Sequence, residues 1–187
     1  TDRLGLCASH GICTKEALQK LADAGVTTYH HNLESSRRFY PNVCTSHTYN
    51  DRINTIKNAK AVGLNVCSGG IFGLGETIED RIDMALDLRV LEIHSVPINV
   101  LTPIPGTPFE NNEEVNPFEI LKTISIYRFI LPKSFLRYCG GRIKLGEQVK
   151  IGLRCGINSA LTGNFLTTTG TTIETDKKMI KELGYEI

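Results

Sequence analysis

Thiols, amides, an arginine and a carboxylate recur along this 187-residue sequence, each at the end of an apolar, β-rich run. They are Cys7, the run His31-Asn32-Leu33-Glu34, Cys67, Asn99, Arg137 and Asn158. The steps from 7 to 32, 67, 99 and 137 are 25, 35, 32 and 38 residues, each about one strand–helix unit. Thiolates are ligands for soft metals and iron–sulfur clusters. Amide and carboxylate oxygens accept hydroxyl and urea-type donors, and a guanidinium clamps a carboxylate. Taken singly, each residue reads as a packed or solvated bystander. Taken together at strand tips, they would line one cavity, where barrel chemistry collects.

Directly after Cys67 comes Gly69-Gly70-Ile71-Phe72-Gly73-Leu74-Gly75-Glu76. By itself it is a common kind of strand-to-helix turn, and it contains no G-x-x-x-x-G-K-[ST], which excludes a nucleotide P-loop. A backbone with so few Cβ atoms admits a flat ring at close range, adenine among the candidates.

These residues need elements to hold them. A strand ends at Leu4–Cys7, and Thr14 caps a helix through Ala22 that stops at Gly25. Strands are predicted at 26–30, 65–71, 96–101, 135–138 and 156–163, and helices at 49–61, 77–88, 118–130, 147–154 and 176–183. Ile53 and Ile56 give the second helix its apolar side. Such alternation favours a parallel sheet with helical crossovers. A doubly wound sheet would usually carry a Gly-rich turn after its first strand, and none is present. The fold class is therefore α/β, a TIM-type (βα)8 barrel represented by about six of its units. Residues 1–187 form a single domain expected to be truncated at its N-terminus, since six units cannot close the ordinary barrel and an open edge would remain.

Composition narrows the partners. With 21 basic and 20 acidic residues the formal charge is +1, and no basic patch argues for nucleic acid or an anionic membrane. No stretch reads as a membrane span or signal peptide. The six cysteines form no C-x-x-C pair. A reducing intracellular setting suits them, each taken alone being a small buried hydrophobe.

Several segments, in order along nearly the whole chain, resemble the biotin synthase family of radical S-adenosylmethionine enzymes. They are Tyr29-His30-His31-Asn32-Leu33-Glu34-Ser35-Ser36, the stretch from Asn65 to Thr77, Ser95-Val96-Pro97-Ile98-Asn99 and Gly106-Thr107-Pro108. Arg137-Tyr138-Cys139-Gly140-Gly141-Arg142, Gly156-Ile157-Asn158-Ser159 and Gly163-Asn164-Phe165-Leu166-Thr167-Thr168 follow. The resemblance implies a radical SAM barrel that inserts sulfur into dethiobiotin. It implies a 4Fe–4S cluster that cleaves S-adenosylmethionine and a 2Fe–2S cluster that donates sulfur.

By the same resemblance, Cys7, Cys67 and Arg137 match three ligands of the 2Fe–2S cluster, the fourth lying upstream. Arginine is an unusual ligand, because its protonated guanidinium offers no lone pair. Asn32 and Glu34 match the pair on the ribose hydroxyls, Arg52 the clamp on the methionine carboxylate, and Ile71 the contact with adenine. Asn32 and Asn99 match the amides that bind the dethiobiotin ureido ring, and Asn32 and Arg137 stand at the reacting centre. Implied partners are dethiobiotin, S-adenosylmethionine, a reducing electron donor and a second copy in a homodimer. The setting implied is cytoplasmic, or mitochondrial for a eukaryotic source.

The sequence departs from the family pattern in places. His30 stands for the usual asparagine, and Glu34 for the usual aspartate, one methylene longer. Cys139 is expected to point away from Arg137 as buried packing, and Cys13, Cys44 and Cys155 have no family counterpart. No C-x-x-x-C-x-x-C run occurs, so the parent enzyme's 4Fe–4S ligands are absent and the chain alone is expected to be inactive. The alternatives are another radical SAM barrel enzyme, of the hydrogenase-maturation or pyrrolysine-pathway kind, or a truncated S-adenosylmethionine-binding module without catalysis.

Overall fold

The computed structural model describes residues 4–163 and 170–187. Among the described residues seven strands are all parallel: β1 (Leu6–Ala8), β2 (Val26–His30), β3 (Asn65–Cys67), β4 (Gly70–Phe72), β5 (Ser95–Val100), β6 (Phe135–Tyr138) and β7 (Ser159–Ala160). Their order is β1-β2-β3-β5-β6-β7, with β4 pairing β5 beyond the end of β3. The helices α1 (Lys15–Asp23), α2 (Tyr49–Ala61), α3 (Ile78–Val90), α4 (Pro117–Ile130), α5 (Val149–Cys155) and α6 (Ile173–Glu182) connect or follow the strands. The result is the arc of a βα-barrel expected from the strand–helix alternation.

Local chemistry explains where the helices begin. Thr14 accepts from the Ala17 N–H at 3.3 Å. Thr48 with Asp51 and Thr77 with Asp80 form capping boxes, each satisfying two otherwise orphaned donors. Asn116 caps α4, and Pro117 fills the first position, where a missing N–H costs nothing. The inner stripe of α4 is Ile120, Leu121, Ile124 and Tyr127, all buried at helical spacing. Ile56 of α2 is wholly buried and Ile53 nearly so, and Tyr29, Leu33, Met84, Leu88 and Leu136 fill the space beneath. Each such side chain contributes roughly 1.5–3 kcal/mol on burial.

Some expected boundaries move. The strand expected at 65–71 is two strands, because the Ser68-Gly69 link steps the chain sideways. The Ser68 N–H donates to Ser95 O at 3.0 Å, and a Cβ on Gly69 would stand 2.0 Å from the Pro97 carbonyl oxygen. The strand expected at 156–163 shrinks to Ser159–Ala160, and the run 164–168 lies outside the described residues. The helix expected from 147 starts at Val149, after a 3-10 stretch over Arg142–Gln148. The last helix starts at Ile173 rather than 176, where Thr172 accepts from the Thr175 N–H.

Candidate active site

The carboxyl end of β2 runs into Asn32 and Glu34, and both are tied to the β3–β4 step. The Gly69 N–H donates to Asn32 Oδ1 at 3.1 Å, and Asn32 Nδ2 donates to Glu34 Oε2 at 3.3 Å. The Glu34 N–H donates to Gly69 O, and the Ile71 N–H to Glu34 O. Glu34 adopts φ 70°, the left-handed region that a side chain of its kind rarely occupies. Such strain persists only where the surroundings impose it, and it concentrates at functional sites.

Arg52 enters from α2. Its Nη1 donates to Asn32 O at 2.8 Å and stands 3.7 Å from Glu34 Oε1, while Nε donates to the Tyr40 hydroxyl at 2.5 Å. Burial pushes the Glu34 carboxyl above the usual carboxylate range, with Arg52 and Asn32 pulling the other way.

Asn99, on β5, spans the other side of the cleft. Its Nδ2 donates to Gly70 O at 3.1 Å, and its Oδ1 accepts from the Gly140 N–H at 3.0 Å. Asn32, Glu34, Ile71 and Asn99 thus line one cleft of about 290 Å³, together with Leu101, Ile104 and Gly141. Each asparagine uses one donor and one acceptor on the protein, leaving one N–H and one lone pair.

The thiols form the neighbouring group. Cys67 is buried at the end of β3 and accepts from the Ser95 hydroxyl at 3.4 Å. Cys7 on β1 is exposed. Burial raises the Cys7 thiol, Cys67 raises it further, and Arg137 opposes both. Arg137, inside β6 opposite Pro97 and Ser159, has a buried Nε without a hydrogen-bond partner. His30 pairs in register with Cys67, and burial, then Arg137, lowers its basicity.

Two expectations need correction. Cys139 is buried as expected, but it does not point away from Arg137: residues two apart in extended chain share a face. Its thiol, pushed up to about 12 by burial, interacts with both Arg137 and Cys67. Asn158 is not at a strand tip. It precedes β7, and its Oδ1 accepts from the Leu136 N–H at 2.9 Å, stitching β6 to the incoming strand.

Other residues named in the sequence were given no role of their own. Glu76, inside the Gly-rich turn, accepts from the Gly73 N–H at 2.9 and 3.2 Å and the Leu74 N–H at 2.7 Å, and pairs with Arg81 Nε at 2.8 Å. Arg81 lies 5.3 Å over the Phe72 ring, which stacks on Tyr127. His31 is buried, its Nε2 without a partner, and burial with Arg52, His30 and His47 pushes its pKa down to about 4. A glutamate closing a glycine-rich turn was the available signal for the first.

The donor set fits an iron–sulfur group: two thiols, a guanidinium with an unmatched N–H, and mutual electrostatic influence. Among the described residues no three His, Cys, Asp or Glu side chains converge as a metal site.

Comparison with known proteins places the geometry. Residues 1–88 match the radical SAM superfamily, and residues 97–186 match the biotin and thiamin synthesis associated domain. The chain is 93% identical over 187 residues to a biotin synthase of Fusobacterium nucleatum, covering all of this chain and 52% of that protein. It is 59% identical over 180 residues to a biotin synthase of Campylobacter hominis, covering 96% of this chain and 56% of that one. The chain therefore spans about half the length of these curated relatives. Among solved structures, methylornithine synthase superposes with TM-score 0.81 at 21% identity, over 98% of this chain and 58% of that one. An FeFe-hydrogenase maturase from Carboxydothermus hydrogenoformans gives 0.72 at 17%, over 95% and 47%. These two establish the shared fold.

Proposed function

The chain belongs to the biotin synthase family of radical S-adenosylmethionine proteins, and on that premise we propose that it is the sulfur-donor side of an enzyme inserting sulfur into dethiobiotin. The observation that carries this is the adjacency of two side-chain groups. Cys67 pairs in register with His30, two residues before Asn32, and Arg137 pairs with Pro97, two residues before Asn99, so the strand ends that carry the thiol and the guanidinium run on into the walls of the cleft of Asn32, Glu34, Ile71 and Asn99.

In this reading residues 1–187 are one barrel domain. Cys7, Cys67 and Arg137 would hold a 2Fe–2S cluster, which when bound would supply the sulfur. Asn32 and Glu34 accept from the ribose hydroxyls, Arg52 pairs with the methionine carboxylate and Ile71 packs on adenine. Asn32 offers its free N–H, and Asn99 its free N–H and lone pair, to the ureido ring, a neutral group with the complementary pattern. The orientation is set in advance, since both amides are pinned to backbone.

No C-x-x-x-C-x-x-C occurs in the 187 residues, so in this reading the 4Fe–4S ligands come from elsewhere in the parent protein. The parent works with an external reductant and as a homodimer. No helix among the described residues is long and apolar enough to cross a membrane.

The test uses the full-length parent, purified and reconstituted anaerobically. A 2Fe–2S absorption band lost in Cys67→Ala, and shifted rather than lost in Arg137→Ala, supports the assignment. A spectrum unchanged in both variants overturns it.

A further inference from the structure

Outside that site lies a second cluster of nucleophile and base, on the loop between β2 and α2. Cys44 Sγ stands 3.3 Å from the Ser46 hydroxyl and 3.5 and 3.6 Å from the two ring nitrogens of His47. Ser46 Oγ is in turn 3.0 Å from His47 Nδ1. A thiol, an imidazole and a hydroxyl are thus mutually within hydrogen-bond reach, the arrangement by which a base activates a sulfur nucleophile. Cys44 is half-buried, so a small reagent can reach it.

The loop is held in place rather than loose. A 3-10 turn over Tyr40–Asn42 leads into it, the Cys44 N–H donates to Tyr40 O at 3.1 Å, and Thr48 closes it with the α2 capping box. The Tyr40 ring lies 6.2 Å from the His47 ring, and the Tyr40 hydroxyl receives Arg52 Nε at 2.5 Å. The same hydroxyl interacts with Cys44. Tyr40 therefore joins the thiol to the arginine of the cleft.

We infer that Cys44 is a reactive thiol, activated by His47 and Ser46, that exchanges with low-molecular-weight disulfides. The hydrogen bonds from Ser46, the adjoining backbone N–H groups and Tyr40 support this by bringing the thiol down to about 7, against the opposing effect of burial. A thiol titrating near ambient pH combines thiolate fraction with nucleophilicity. In the step, His47 takes the Cys44 proton and the sulfur attacks one sulfur of the disulfide. A new S–S bond forms as the old one breaks, and the departing thiolate leaves with the electron pair and receives the proton. Cys44 is oxidised to a mixed disulfide, and the reagent's other half is reduced to a thiol. The added group also crowds Tyr40 and loosens its contact with Arg52. That last consequence for ligand binding rests on the carboxylate-clamp reading of Arg52, whereas the reactivity does not.

The experiment treats the full-length protein, before cluster loading, with oxidised glutathione and follows each cysteine by peptide mass spectrometry. Cys44 should be modified at least tenfold faster than Cys13 or Cys155. His47→Gln and, as a variant on an exposed loop position that spares the fold, Ser46→Ala should each slow it severalfold. Equal rates at the three cysteines, or a Cys44 rate indifferent to both substitutions, would overturn the inference. Equilibrium dialysis of S-adenosylmethionine then reads the link to Arg52 separately. Fast labelling with unchanged binding keeps the reactive thiol and discards the coupling.

Discussion

Arg52 reaches Glu34 across 3.7 Å while its Nη1 also donates to Asn32 O, so one guanidinium fixes both the backbone and the side chain of the β2 exit. It holds a carboxylate whose backbone is in an unfavourable region and whose charge is poorly solvated. The site's geometry is thus kept at a cost in local stability, and that cost can be measured.

Glu34→Gly isolates the backbone part. Left-handed backbone costs a side-chain-bearing residue about 1–2 kcal/mol, part of which glycine returns through a freer unfolded chain. Urea denaturation should show unchanged or slightly raised stability, by up to ~1 kcal/mol. S-adenosylmethionine affinity should fall at least about tenfold, the usual scale for losing a charged hydrogen-bonding partner. A clear loss of stability would show that the ion pair with Arg52 outweighs the strain.

The charge part depends on pH. Burial raises the folded-state pKa of Glu34 above its ordinary 4.5, so between the two values the folded protein binds more protons than the unfolded chain. The contribution of this group to stability therefore falls as pH rises from 4.5 through the folded pKa, and the penalty is complete above it. Glu34→Gln should gain on the parent chain at pH 8 and lose that gain toward pH 4. Urea midpoints across this range decide it, and a difference independent of pH would contradict the assignment.

The Glu76–Arg81 pair supports the Gly-rich turn from below. Both side chains are buried, so Arg81→Met leaves a buried carboxylate with its Gly73 and Leu74 N–H partners but without its counter-charge, and should cost about 3 kcal/mol. The double variant Glu76→Gln with Arg81→Met should recover part of this, since the buried charge is gone. Additive losses in the double-mutant cycle would show that the two act independently.

At Gly69 the limit is space. An added methyl would sit 2.0 Å from the Pro97 carbonyl oxygen, where only backbone can give way. Gly69→Ala should destabilise by about 3 kcal/mol or more, the upper end of overpacking, and thermal melting with far-UV circular dichroism measures it. Gly63→Ala serves as a contrast, open in space but at φ 82°, and should lose only about 1 kcal/mol.

The sequence made the strand–helix alternation legible because helix caps and apolar stripes are local signals. Thr14 caps where expected, and β2, α2 and β6 begin and end on the expected residues. The β3–β4 step was not legible, since it depends on the contact of Gly69 with Pro97, 28 positions along the chain. Cys139 was misplaced by neglect of the two-residue strand period, which the sequence did contain. The Cys44–His47 group was not read from the sequence, and its link through Tyr40 to Arg52 exists only once the loop folds back on α2.

The paired anchoring of Asn32 and Asn99 carries a kinetic implication. An amide free to rotate must settle into one orientation for each arriving guest, and that search lowers the fraction of productive encounters. Here Gly69 and Glu34 on one side, and Gly70 and Gly140 on the other, dictate which end of each amide is oxygen and which is nitrogen. The cleft thus presents a fixed polarity to an incoming ring, and little side-chain entropy remains to be lost on capture. Discrimination follows from the same rigidity, since a guest with its donors and acceptor transposed finds no amide able to turn and meet it.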